Sequence, residues 1–178
     1  MADRFERDDT VMTTDIAALA SVDVNAAAAA TRLWATGVAV VTACHDGRDI
    51  GLVMVSLAPV SQDPPLVLWS VDRASGSFDD WLATPAYALH LLAADQEALA
   101  WQFAKKGDEK FAGLETRRGV TGAPLLTAAA VVLECATYAR YDGGDHVILV
   151  GRVVAAEVTD REPLVMHAGR IHRGLPSD

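Results

Sequence analysis

The sequence predicts a mainly β protein, an antiparallel barrel with a few short helices, and three observations carry that expectation. Six or seven β-branched apolar segments recur along the chain. Gly, Asp and Pro turns join them in hairpin order, and too few helical stretches intervene for a βαβ rhythm. A chain of 178 residues fits one domain. Residues 25–173 are expected to form it, with 1–24 as a flexible N-terminal arm of mixed charge and 174–178 as a C-terminal tail.

Asn25 precedes an Ala-rich run and is expected to cap a short docking helix over 26–35, with Leu33 and Trp34 as its large apolar contacts. Val38-Ala39-Val40-Val41-Thr42, the turn His45-Asp46-Gly47-Arg48 and the run 50–57 read as a hairpin. Pro64-Pro65 ends the next loop before a buried strand over 66–71. Ser77 is placed to cap a helix over 77–82, where Asp79 and Asp80 suit the helix dipole. A strand over 87–92 follows, then a helix over 96–105 capped by Asp95, with Leu99 and Phe103 on one face. Four glycines and Pro124 make 107–127 a long loop over the barrel mouth. The segments 131–141 and 147–158 flank the turn Asp142-Gly143-Gly144-Asp145, and a last strand covers 164–170.

The formal net charge of −9 repels phosphate backbones and anionic headgroups, which argues against nucleic acid or a membrane surface as partner. No apolar run approaches the roughly 18 residues of a membrane span. Residues 1–9 alternate acid and base without the apolar core of a signal peptide, so a cytoplasmic protein is expected. Apolar residues reach 51% and mean hydropathy +0.19, which points to surface buried against a second subunit. Cys44 and Cys135 lie in no metal or redox spacing and read as two small buried hydrophobes. His167 and His172, five apart, suit neither one helix face nor one strand face, so no metal is expected.

Several segments carry a family resemblance when taken in order: Ala35-Thr36-Gly37-Val38-Ala39-Val40-Val41-Thr42, Asp63-Pro64-Pro65-Leu66-Val67-Leu68 and Asp72-Arg73-Ala74-Ser75-Gly76-Ser77. Leu91-Leu92-Ala93-Ala94-Asp95-Gln96, Lys110-Phe111-Ala112-Gly113, Gly122-Ala123-Pro124-Leu125, Gly143-Gly144-Asp145-His146 and Gly169-Arg170 continue the series. Over about residues 30–173 the chain resembles the flavin reductase family, the reductase components of two-component flavin-dependent monooxygenases. The resemblance implies an FMN-binding split β-barrel, antiparallel and Greek-key-like. It also implies a homodimer that holds FMN or FAD in a groove shared between subunits. Hydride would come from NADH or NADPH, and reduced flavin would pass to a separate oxygenase. The absence of a Gly-x-Gly-x-x-Gly fingerprint fits, because this family binds both nucleotides without a Rossmann unit.

The same resemblance assigns candidate site residues. The flavin-contact stretch aligns with Val53, Met54, Val55 and Ser56; Ser56 keeps the family's serine, while Val53, Val55 and Pro59 stand where Thr, Asn and Ser are usual. Read from the residues alone, Val53, Val55 and Leu57 form one face of a buried strand by period two. Ser75 and Ser77 lie in a turn entering a helix, where they either receive a phosphate or ribityl group or, for Ser77, simply cap the helix. Lys110 would balance phosphate or reduced-flavin charge, or else stand solvated beside Asp108 and Glu109, and Phe111 would wall the ring. His146 is the catalytic candidate, set against nicotinamide or flavin, and Arg170 would meet a nucleotide phosphate. The competing reading keeps the barrel as a flavin- or small-molecule-binding protein of a biosynthetic pathway without reductase activity. A weaker one makes it a non-catalytic partner protein.

Overall fold

A computed structural model describes residues 23–107 and 109–174. The chain enters through α1 (Val24–Arg32) and a two-residue strand, β1 (Thr36–Gly37). β2 (Ala39–His45) and β3 (Arg48–Met54) form a hairpin whose turn residues, Asp46 at φ 48 and Gly47 at φ 75, take the doubly left-handed geometry that suits strand twist. A second hairpin pairs β4 (Ala58–Gln62) with β5 (Pro65–Asp72). After α2 (Phe78–Ala83), β6 (Ala86–Leu91) returns to the free side of β2. α3 (Glu97–Ala104) leads to a small hairpin of β7 (Thr116–Arg118) and β8 (Pro124–Leu126). The long hairpin of β9 (Val131–Gly143) and β10 (His146–Val158) fills the gap between β6 and β5. β11 (Leu164–His167) and β12 (Arg170–Arg173) join β1 in a separate three-stranded sheet.

The main sheet runs β3-β2-β6-β9-β10-β5-β4. Its two edges, β3 and β4, are consecutive in sequence and only residues 55–57 separate them. Six strand spacings would put those edges roughly 29 Å apart in a flat sheet. The link from Met54 to Ala58 reaches at most about 14 Å. The sheet therefore curls until its edges meet, without hydrogen bonds between them, and the outcome is a barrel split along one seam.

Strand alternation sends Val41, Met54, Val67, Trp69, Leu89, Cys135 and Leu149 into the barrel. α2 plugs one end with Trp81, which meets Trp69 edge to face at 5.3 Å. Outside, α3 lays Phe103 over Val40 and Val53, and a Cβ on Gly51 would stand 2.3 Å from the Phe103 ring. The β7–β8 hairpin covers Ala88 and Val132 with Ala123 and Leu125. Three polar side chains fasten that cover: Thr42 donates to Pro124 O, His90 Nε2 accepts from Leu126 N–H, and the Glu134 carboxylate accepts from the Thr121 N–H and hydroxyl. The outer face of β5 and β10 carries Leu66, Leu68 and Ile148, each half-buried.

Several local expectations need correction. Asp23, not Asn25, caps α1, because its carboxylate accepts the Asn25 N–H, and no residue of that helix is buried. Asp95 caps nothing: it pairs with Arg161, and Gln96 opens α3 with its own side chain turned back to Ala93 N–H. The region 107–127 is no structureless loop, since Glu109–Phe111 makes a 3-10 turn and β7 pairs with β8. The strand expected over 164–170 is a hairpin turned at Ala168 and Gly169, φ 51 and 73. Cys44 is exposed, because β2 leaves the barrel there, whereas burial pushes the Cys135 thiol up to about 12. The arm assigned to 1–24 lies outside the described residues apart from its last two, and the tail apart from Gly174.

His90 makes stability depend on pH. Its buried ring needs a proton on Nδ1 for Val40 O and a lone pair on Nε2 for Leu126 N–H. Burial pushes it down to about 4 despite the Val40 bond and the Glu134 charge. The unfolded chain takes up this proton near pH 6.5, so the contribution is complete above that pH and is lost on acidification towards 4, by at most roughly 3 kcal/mol. Thermal melts from pH 7 to 4.5 should show the loss, and His90→Gln should be less stable at pH 7 with a flatter dependence; an unchanged slope in the variant contradicts this.

Candidate functional site

The seam is where main-chain polar groups remain open. β3 ends at Met54 and β4 starts at Ala58, so residues 55–57 belong to neither ladder. No N–H of these three residues finds a partner among the described residues. The side chains here alternate away from a single buried face. Val53 packs outward beneath α3, Met54 and Leu57 pack inward, and Val55 is 40% exposed. A strand continuing to Leu57, with Val53, Val55 and Leu57 on one buried side, is thus corrected: the chain rolls over as it crosses the seam. Ser56 anchors the crossing, because its Oγ accepts from Ser70 N–H on β5 at 3.0 Å.

From Ser70 the register leads to two further candidates. Ser70 faces Ile148, and two residues on, Asp72 faces His146. Asp72 then opens the loop to α2, its carboxylate accepting Ala74 N–H at 2.7 Å and its carbonyl Ser75 N–H at 2.9 Å. Ser77 stands at the head of α2, yet its hydroxyl makes no capping bond and accepts the Trp81 indole N–H at 3.0 Å, with Ser75 Oγ 3.4 Å away. His146 Nδ1 lies 2.7 Å from Asp145 Oδ1, and that bond holds the Asp145 carboxyl below the usual carboxylate range. Val55, Ser56, Ser75, Ser77 and His146 therefore line one end of β5 and β10.

Other candidates sit apart from that rim. The Lys110 ammonium is not a solvated side chain. It donates to Gly51 O at 3.0 Å and Phe103 O at 3.1 Å, tying β3 to the last turn of α3, and burial lowers its pKa. Phe111 packs edge to face on Phe103 at 5.1 Å. Lys110 also borders a cavity of about 330 Å³ with Gln102, Lys105, Lys106, Glu109 and Ala112. Arg170 opens β12 opposite His167, on the separate small sheet. His167 and His172 have ring centroids 6.0 Å apart, and among the described residues no three His, Cys, Asp or Glu side chains group as metal ligands. Arg73, which bonds to the β9–β10 turn, carries no signal in the local sequence, because a register linking residues some 70 apart leaves no local trace.

Residues 31–175 match the flavin reductase like domain. The chain is 38% identical over 140 residues to the FMN reductase (NADH) SmoA of Agrobacterium fabrum, covering 79% of this chain and 80% of that one. It is 30% identical over 146 residues to HsaB of Rhodococcus jostii, the reductase subunit of a flavin-dependent monooxygenase, covering 82% and 74%. The NADH:FAD oxidoreductase SgcE6 of Streptomyces globisporus, solved with NAD and FAD fragments, superposes with a TM-score of 0.80 at 34% identity, over 89% of this chain and 98% of that one. The chain belongs to the flavin reductase family, and its barrel is that family's split barrel.

The anchoring role of Ser56 has a direct test. Ser56→Ala leaves the Ser70 N–H without its acceptor, and should lower unfolding free energy by about 1 kcal/mol in chemical denaturation. An unchanged midpoint would show that the bond holds nothing.

Proposed function

We propose that this protein uses NADH to reduce a flavin, FMN or FAD, at the rim of the seam and releases the reduced flavin to a separate monooxygenase component. The observation that carries the reading is the set of unpaired main-chain N–H groups at residues 55–57, beside Ser75, Ser77 and His146. In overall balance NADH, a proton and oxidised flavin give NAD⁺ and reduced flavin. Bound flavin would supply the hydride acceptor, so the protein's tasks are to bind, orient and place charge. The amides at 55–57 suit carbonyl and ring-nitrogen acceptors of the isoalloxazine, and the Ser75 and Ser77 hydroxyls suit its ribityl or phosphate oxygens. His146 presents Nε2, the nitrogen not engaged by Asp145, to the nicotinamide. The third N–H of Lys110 and the Arg170 guanidinium are assigned to nucleotide phosphates, with Phe111 as a wall. NADH is favoured over NADPH by the relatives named for it.

The departures at Val53 and Val55 are not equivalent. Val53 belongs to the packing under α3 and leaves flavin binding to the main chain, whereas Val55 stands exposed beside the open amides. Pro59 pairs with Val67 in β4 and lies outside the 55–57 crossing.

A second copy of the chain is assigned to the outer face of β5 and β10, forming a homodimer. Leu66, Leu68 and Ile148 are half-buried there and Tyr141 is 57% exposed, an apolar sheet face of the kind a subunit interface removes from water. The rim at Ser56 and His146 borders this face through Ser70 and Ile148, so a partner laid on it would turn an open rim into a cleft.

Anaerobic mixing with NADH should bleach FMN or FAD only when protein is present; no turnover with either flavin contradicts the proposal, and flavin binding without NADH oxidation favours the non-reductase alternative. Val55→Asn should tighten flavin binding by up to about tenfold through one added hydrogen bond, while Val53→Thr should lower stability instead, because it puts a hydroxyl among apolar side chains. Light scattering should give a dimer mass, and Leu68→Asp should give a monomer with weakened flavin binding. A monomeric wild type that binds flavin fully contradicts the shared cleft.

A further inference from the structure

We infer that Arg73 is a positioning residue for His146, acting as a clamp that locks the β9–β10 turn to the serine loop and so sets which imidazole nitrogen faces the nicotinamide. This rests on the role proposed above for His146. Arg73 follows directly on β5, at the point where Asp72 pairs with His146. Its main-chain N–H donates to Asp145 O at 3.0 Å, its Nε to Gly144 O at 2.9 Å and its Nη2 to Asp142 Oδ2 at 2.8 Å. Its guanidinium also lies 5.8 Å from the centre of the Phe78 ring, the first residue of α2. One side chain thus joins the end of β5, the turn between β9 and β10, and the helix that follows Ser75 and Ser77.

The turn needs such a clamp. The side chains of Asp142 and Asp145 are 78% and 90% exposed and Gly144 sits at φ 81, so beyond the ladder and the Asx bond from Gly144 N–H to Asp142 Oδ1, Arg73 alone among the described residues fixes its orientation. Orientation matters because Asp145 is the acceptor for His146 Nδ1. With the turn held, an Nδ1 proton points at the carboxylate and the Nε2 lone pair faces outward. A turn free to swing lets the imidazole exchange between its two tautomers, and Nε2 is then a donor for part of the time. The guanidinium suits this task better than an ammonium, since two separate acceptors, a carbonyl and a carboxylate, are met by two fixed N–H directions.

The clamp is tested in the full-length protein by a double-mutant cycle with kinetic and spectroscopic readouts. Arg73→Gln should lower kcat/KM for NADH by about tenfold, the equivalent of one charge-assisted bond, while flavin still binds. In a His146→Gln background the same change should cause little further loss, because the clamp then has nothing to position. Nitrogen NMR of the His146 ring should show the Nδ1–H tautomer in the wild type and a mixture in Arg73→Gln, and Arg73→Lys should restore neither tautomer nor rate. Losses that multiply in the double variant, or an unchanged tautomer in Arg73→Gln, overturn the inference. If His146→Gln alone leaves kcat/KM unchanged, the role given to His146 fails and the clamp with it, but flavin reduction by the chain stands.

Discussion

The short crossing from β3 to β4 is the constraint on which the rest of this molecule depends. It is too short to join the edges of a flat sheet, so it forces the curl that encloses Trp69, Trp81 and Tyr87. The two edge strands do not pair across it, and the N–H groups of residues 55–57 have no partner among the described residues. Unpaired donors are costly when buried and useful when a polar ligand replaces water. Closure of the barrel and the row of open donors to which the flavin is assigned meet in one piece of backbone geometry.

A crossing whose open donors are main-chain N–H groups makes few demands on the side chains of Val53 and Val55. A site built from amides tolerates side-chain change, provided the backbone stays where it is. Ser56 serves that end through Ser70, and the rolled path of the crossing separates Val53, a packing residue, from Val55, an exposed one. Of the four polar side chains buried among the described residues, Thr42, His90 and Glu134 serve the cover hairpin on the far side of β6, and Thr84 closes α2 by donating to Asp80 O. The rim and the cover thus use different polar groups, so change at one need not disturb the other.

Much of the fold was legible in the sequence because strands announce themselves by composition and turns by Gly and Asp. The hairpin turn at Asp46-Gly47 and the strands β5, β6, β9 and β10 follow their local signals closely. What escaped was set by distant partners. Asp95 carries every local mark of a helix cap but is taken by Arg161, and β7 and β8 form because Leu125 and Ala123 find Ala88 and Val132 to cover. At the site, the resemblance named Ser56, Ser75, Ser77 and His146, and the register of β5 with β10 puts them on one rim. Lys110, bonded to Gly51 O and Phe103 O, and Arg170, on the small sheet, sit apart from them, a division that motif order along a chain does not contain.

Amide NMR during titration with FMN or FAD tests whether the open amides of the seam grip the flavin ring. The N–H signals of Val55, Ser56 and Leu57 should shift on binding and become protected from solvent exchange, ahead of those on the outer face of β2 and β6. Saturation with either flavin that leaves these three signals in place and exchanging as before would contradict the account.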